Sequence, residues 1–120
     1  EYKEIITHSM KFLVKVLINA LAVAIAAYLL PNVRIDGFVT AILVSLVLSI
    51  VNTFIKPVLM LLTLPITLLT LGLFSIVING AIIIFASYVV EGFVVDGFLW
   101  AVLYSFVLSL VSSLLSIFSK

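Results

Sequence analysis

Residues 58–90 read VLMLLTLPITLLTLGLFSIVINGAIIIFASYVV, 33 residues without a single charge. As one helix this stretch would reach about 50 Å at ~1.5 Å per residue, whereas a bilayer core of about 30 Å takes roughly 20 residues. It is too long for one crossing and too short for two joined by a turn. Pro65 and Gly72 divide it. Proline removes a backbone donor and collides with the preceding helical turn. The division predicts a short hydrophobic helix over 58–71, re-entrant or interfacial and broken near Pro65, followed by a crossing over 73–90.

Working outward, 38–55 is a second apolar run, ended by Lys56-Pro57, and 12–30 is another, ended by Pro31-Asn32. Lys15 interrupts the latter only one turn in, where a long side chain snorkels to the headgroups. Residues 91–97 read as a loop and 98–118 as the last crossing. Residues 1–9 are polar and unlike the rest of the chain. Met10-Lys11-Phe12 reads like a native start, so 1–9 is expected to be a tag or a disordered tail.

Composition requires the same solvent. Apolar residues make up 66% of the chain and charged ones 9%, against roughly 25% charged in an ordinary soluble domain. So short a chain cannot bury that much apolar surface within itself. A net charge of +1 gives no field for nucleic acid. The absence of cysteine removes disulfides and thiolate chemistry. No cluster of metal ligands, no carboxylate pair within a crossing and no phosphate loop is present. The single histidine, His8, lies in the expected tail. No enzyme and no cofactor are expected. In a four-crossing chain Lys11, Lys15, Lys56 and Lys120 share one side, with Arg34, Asp36, Glu91 and Asp96 on the other. Lysine favours the cytoplasmic face, so both termini are expected there.

The two halves match without a gap at an offset of 60 residues. Ile18-Asn19 matches Ile78-Asn79, and Tyr28 matches Tyr88. Asp36-Gly37-Phe38 matches Asp96-Gly97-Phe98. Ala41, Ser45 and Ser49 match Ala101, Ser105 and Ser109. Each half reads as a helical hairpin, 10–57 and 72–120, with 58–71 as the linker. An even number of crossings per unit gives both the same orientation, the parallel-repeat case. The expected fold is therefore all-α, four transmembrane helices as two parallel hairpins plus the linker helix.

Several polar residues invite a role. Asn19 and Asn79 lie within crossings, where an amide seeks a partner on another helix or lines a permeation path. Ser45, Ser49, Asn52 and Lys56 form one stripe at helical spacing. Ser105, Ser109, Ser112 and Ser116 form another. Close helix packing is the commoner use of such spacing; a wet stripe facing its counterpart or another subunit is the sharper alternative. Ala20, Ala24 and Ala27 offer a close-contact face on the first helix. Asp36 and Asp96 precede helices and are expected to cap them, with Gly37 and Gly97 permitting a tight turn. A cation-binding mouth is the alternative. Tyr28, Tyr88 and Trp100 suit the headgroup level.

The segments Leu17-Ile18-Asn19-Ala20, Tyr28-Leu29-Leu30-Pro31, Ile35-Asp36-Gly37-Phe38, 52–57, Leu62-Thr63-Leu64-Pro65-Ile66-Thr67-Leu68-Leu69-Thr70-Leu71-Gly72 and Val95-Asp96-Gly97-Phe98 together resemble the four-transmembrane, mycobacterial-type phage holin family, superfamily IV. The resemblance spans 10–118. It implies a small multi-pass protein of the bacterial cytoplasmic membrane with four crossings. The first hairpin departs from the second in carrying Pro31-Asn32 where the other has Glu91-Gly92.

Two functions are expected. One is a holin-like protein that forms homo-oligomers and makes the membrane permeable, its polar stripes facing water. The other is a non-lytic scaffold, envelope-stress component or partner-binding subunit with no pore, in which the stripes are packing surfaces. Both have the lipid bilayer as partner. A small transporter, with the two asparagines at its midplane, is a third reading.

Overall fold

The computed structural model describes residues 1–118; Lys120, one of the four lysines expected on the cytoplasmic side, lies outside the described residues. Helix α1 spans Tyr2–Leu29, strand β1 Val33–Ile35 and helix α2 Phe38–Ile50. A π turn over Val51–Ile55 leads into α3, Lys56–Leu62, and then α4, Leu64–Leu69. Helix α5 spans Leu73–Val89, strand β2 Phe93–Val95 and helix α6 Phe98–Phe118. Three apolar helical runs are long enough to cross a membrane, namely Tyr2–Leu29, Phe38–Leu62 and Phe98–Phe118, and Leu73–Val89 is a shorter apolar helix. Helices dominate because hydrocarbon offers backbone amides no partner, so each segment must satisfy its own.

The helices pack as a ring in which α1 touches α2 and α6, and α5 touches the same two. Small residues set the spacing. Ala20, Ala22, Ala26, Ala41, Ala86 and Ala101 are all fully buried, and small side chains let backbones approach closely where no aqueous hydrophobic effect drives association. Ala20 and Ala27 of the expected close-contact face lie in this core, with Ala24 packed at its edge. Leucines, valines and phenylalanines cover the outside.

Four details differ from the sequence expectation. Residues 2–9 continue α1 as helix, with every side chain exposed and none packed on the core. At 28 residues the helix is roughly 42 Å long, so its first turns project beyond a hydrocarbon core.

Second, Lys56-Pro57 does not end the second crossing. The Lys56 amide bonds back to the Val51 carbonyl, five residues away. This wider turn makes room for the proline ring, which would otherwise collide with the turn before it, and the helix runs on to Leu62.

Third, the linker helix begins at Lys56 instead of residue 58; its break near Pro65 is as expected, with two pieces joined at Thr63 and Pro65 in the first turn of the second. None of its side chains is fully buried. Its threonines are half-buried and its leucines exposed, and the Thr63 hydroxyl donates to the Leu59 carbonyl at 2.7 Å.

Fourth, the loops are not irregular. Strands β1 and β2 pair antiparallel, with Val33 opposite Val95, Arg34 opposite Val94 and Ile35 opposite Phe93. The Asp36 amide donates to the Gly92 carbonyl and the Asp96 amide to the Asn32 carbonyl, each at 3.0 Å. Arg34 and Val94, at the centre, are 60 residues apart, as are the two flanking bonds. Alternation along each strand turns Val33 and Phe93 into the bundle, where both are buried. The ribbon ties the two hairpin loops together at one end. The chain ends of α1 and α6 lie together at the other, where Met10, Lys11 and Lys15 share a groove with Ser112 and Ser116.

Candidate functional site

Most of the polar residues singled out within the crossings line two neighbouring cavities between the helices. Asn19, Ser45, Ser49, Asn52 and Ser112 line a cavity of about 130 Å³ together with Val23, Leu48 and Leu108. Asn79, Ser105, Ser109, Asn52 and Lys56 line a neighbouring one of about 90 Å³. Leu48, Asn52 and Leu108 belong to both walls. Adding 60 to Asn19, Val23, Ser45 and Ser49 gives Asn79, Ile83, Ser105 and Ser109, which line the second cavity. The two cavities abut along the three shared residues as two lobes, together termed the vestibule.

The vestibule is closed toward the ribbon and open toward the chain ends. Ser45 is buried, Ser105 and Ser112 are half-buried, and Ser49, Asn52 and Ser109 are exposed. At the closed side Tyr104 of α6 is completely buried. Its ring lies 5.5 Å from that of Phe93, tilted by 55°, and its hydroxyl donates to the Val23 carbonyl on α1 at 2.7 Å. With Val23 and Val44 these rings form an apolar floor. Beyond Asn19 and Ser112 the first lobe continues into the groove between the start of α1 and the end of α6.

Hydrogen bonding separates the serines from the asparagines. Ser45 donates to the Ile42 carbonyl at 2.8 Å and Ser105 to Val102 at 2.7 Å, each back onto its own helix. Such serines are satisfied without water. Among the described residues the side-chain amides of Asn19, Asn52 and Asn79 have no hydrogen-bond partner in the protein. They line the two cavities, where an amide needs water or another partner.

At the ribbon end the expected aspartate caps are absent. The residue at the start of α2 is Gly37, and no side chain caps that helix. The Asp36 and Asp96 amides are engaged in the ribbon, which holds both residues one position too early for their carboxylates to reach the first free amides. Asp96 instead stands 4.0 Å from Arg34, an exposed pair of small energetic weight. The tight-turn expectation holds for one glycine of the two. Gly97 has φ +135°, while Gly37, at φ 172°, is in extended backbone open to any residue. Gly97→Ala is therefore expected to cost about 1–3 kcal/mol and Gly37→Ala almost nothing, as read by thermal unfolding of the purified variants. Phe38 and Phe98, which complete the two motifs, are exposed. So are Tyr28 and Tyr88, at 90% and 85%, whereas Trp100 packs against the core.

Two residues escaped the sequence reading. Tyr104 carries the longest-range side-chain bond among the described residues, and a Cβ at Gly80 would collide with Val102 and Phe98 of α6. Both are places where the halves disagree, since the residues 60 positions earlier are Val44 and Ala20.

A bundle of apolar crossings with its polar residues turned inward agrees with the comparison to known proteins. Residues 10–114 match the profile of the mycobacterial four-TMS phage holins, superfamily IV. The chain belongs to this holin family. An uncharacterized protein of Streptomyces coelicolor is 40% identical over 117 residues, covering 89% of this chain and 94% of that protein. The uncharacterized membrane protein YvlD of Bacillus subtilis is 41% identical over 100 residues, covering 82% of this chain and 84% of its own length. No solved structure shows a significant match. Membership in the holin family makes the chain a small multi-pass membrane protein, and its four apolar helices fit the four segments in the family's description.

Proposed function

We propose that this member of the holin family is a non-lytic module of the bacterial cytoplasmic membrane, holding a hydrated vestibule open to the cytoplasm. In this reading the chain is two like-oriented hairpins about a pseudo-two-fold axis along the membrane normal. The axis passes between Arg34 and Val94. The segment 58–71 links the hairpins at the cytoplasmic interface, and both termini face the cytoplasm, as Lys11, Lys15 and Lys56 favour.

One observation carries the proposal. The polar side chains lie inside a single bundle whose far side is floored by Tyr104 and Phe93, while its outer surface is apolar. Among the described residues the outer surface is mostly leucine, valine and phenylalanine, which suits lipid better than the wall of a wide pore between copies. The vestibule is accessible to a cytoplasmic partner or lipid and has no exit.

Expression of the chain alone to high level is expected to leave the membrane potential intact, measured with a potential-sensitive dye. Ser49→Leu with Ser109→Leu is expected to lower thermal stability or partner recovery with no change in ion flux. Collapse of the potential on expression, suppressed by the same pair of substitutions, would support the second reading, a holin-like permeabiliser. Family membership favours that reading. It requires the bundle to open past Tyr104.

A further inference from the structure

The lobes of the vestibule differ in charge at one position. Lys56 lines the second lobe, and the residue 60 positions later is Ser116, which lies in the groove beyond the first. Lys56 is half-buried and, among the described residues, makes no ion pair. No carboxylate lines either lobe. An ammonium at the wall of a cleft attracts an anion most readily where no carboxylate competes for it. What surrounds it is neutral. Asn52 and Asn79 offer amide donors with no protein partner, and Ser109 offers a hydroxyl. Ser105 has its proton committed to its own helix.

The two halves also differ in backbone at this place. The π turn over Val51–Ile55 ends at the Lys56 amide, whereas α6 runs through the corresponding region as unbroken α-helix. Pro57 accounts for this turn, since α6 carries Ile117 at the matching position.

We infer that the vestibule binds a small monovalent anion, halide in size, at Lys56 with donors from Asn79, Asn52 and Ser109. An ammonium has three donors and no acceptor, so ammonium, amides and hydroxyl converge as a donor-rich site. A lobe of about 90 Å³ has room for about three waters at ~30 Å³ each. It accommodates a halide with a water. The inference rests on the vestibule being hydrated, since the anion enters through it.

The test uses the full chain in nanodiscs of zwitterionic lipid, unfolded thermally at constant ionic strength while sodium gluconate is exchanged for sodium chloride or bromide. Halide at a few times its Kd is expected to raise the Tm by about 3 °C, and the rise grows with the logarithm of halide concentration, as mass action on a folded-state site requires. Lys56→Gln is expected to abolish the rise and Lys56→Arg to retain it. Asn79→Ala should raise the halide midpoint about tenfold, the equivalent of one charge-assisted hydrogen bond. Lys15→Gln, in the neighbouring groove, should respond as the parent does. A parent Tm equal in halide and gluconate, or a halide response that survives in Lys56→Gln, overturns the site. Because the chain has no cysteine, Asn79→Cys reports hydration separately. Reaction with a water-soluble thiol reagent in the absence of any halide response leaves the vestibule standing and removes the anion. Failure to react removes both.

Discussion

Tyr104→Ala is expected to destabilise the protein by about 3–5 kcal/mol, the range for removing a fully buried aromatic ring. The ring joins three elements. It packs on Phe93 of the ribbon, fills the interior beside Val23 and Val44, and bonds α1 to α6 through its hydroxyl at 2.7 Å. Backbone on all sides is already committed to helices and the ribbon, so the cavity cannot collapse. Tyr104→Phe keeps the ring and loses only the hydroxyl, and is expected to cost about 1 kcal/mol or less, since interhelical hydrogen bonds in membranes are worth about 0.6 kcal/mol on average. Unfolding of both variants in the same detergent decides the matter. Equal losses would mean that the hydrogen bond, rather than the ring, holds the floor of the vestibule.

Gly80 is expected to tolerate no side chain. A Cβ there would stand 2.7 Å from Cγ2 of Val102 and 2.9 Å from Cζ of Phe98. Phe98 is partly exposed and can swing aside, but Val102 is β-branched and stiff about χ1, so α5 and α6 must separate. Gly80→Ala gains about 1 kcal/mol of helix propensity against an overpacking cost of about 1–3 kcal/mol. It should come out destabilised by about 1 kcal/mol. Gly80→Leu has no compensating gain of that size and is expected to lose about 3 kcal/mol or more. At the corresponding place in α1, Ala20 is fully buried and fits. There the reverse change, Ala20→Gly, is the damaging one, by about 1 kcal/mol. Thermal unfolding of these three variants beside the parent tests whether the two hairpins are packed to different tolerances. A stabilised Gly80→Ala would show that α5 and α6 have slack.

Much of the architecture is legible in local chemistry. Uncharged runs of bilayer length, punctuated by Pro31, Pro65 and Gly72, mark the helices, because hydrocarbon admits few other structures. The bounds of α5 and α6 agree within a residue. The polar set Asn19, Ser45, Ser49, Asn52, Asn79, Ser105, Ser109 and Ser112 is legible too, since an amide or hydroxyl at helical spacing must avoid lipid. That all eight line one vestibule is a result of the same pressure.

The remainder depends on contacts between distant segments. Nothing within Val33–Ile35 or Phe93–Val95 signals a strand, because three residues make no ladder until a partner 60 positions away supplies the bonds. That pairing also displaced Asp36 and Asp96 from the capping role their place before a helix suggests. The π turn at Val51–Ile55 reversed the meaning of Lys56-Pro57, from a helix stop to a bend within a longer helix. Tyr104 and Gly80 looked ordinary, since their importance lies in what the opposite helix presents to them. Hydropathy and periodicity thus dictate which segments cross the membrane and which faces turn inward, for those are transfer free energies summed along a chain. Register, closure of the vestibule and tolerance to a single methyl group arise only when particular atoms on separate helices meet, and three-dimensional packing alone decides them.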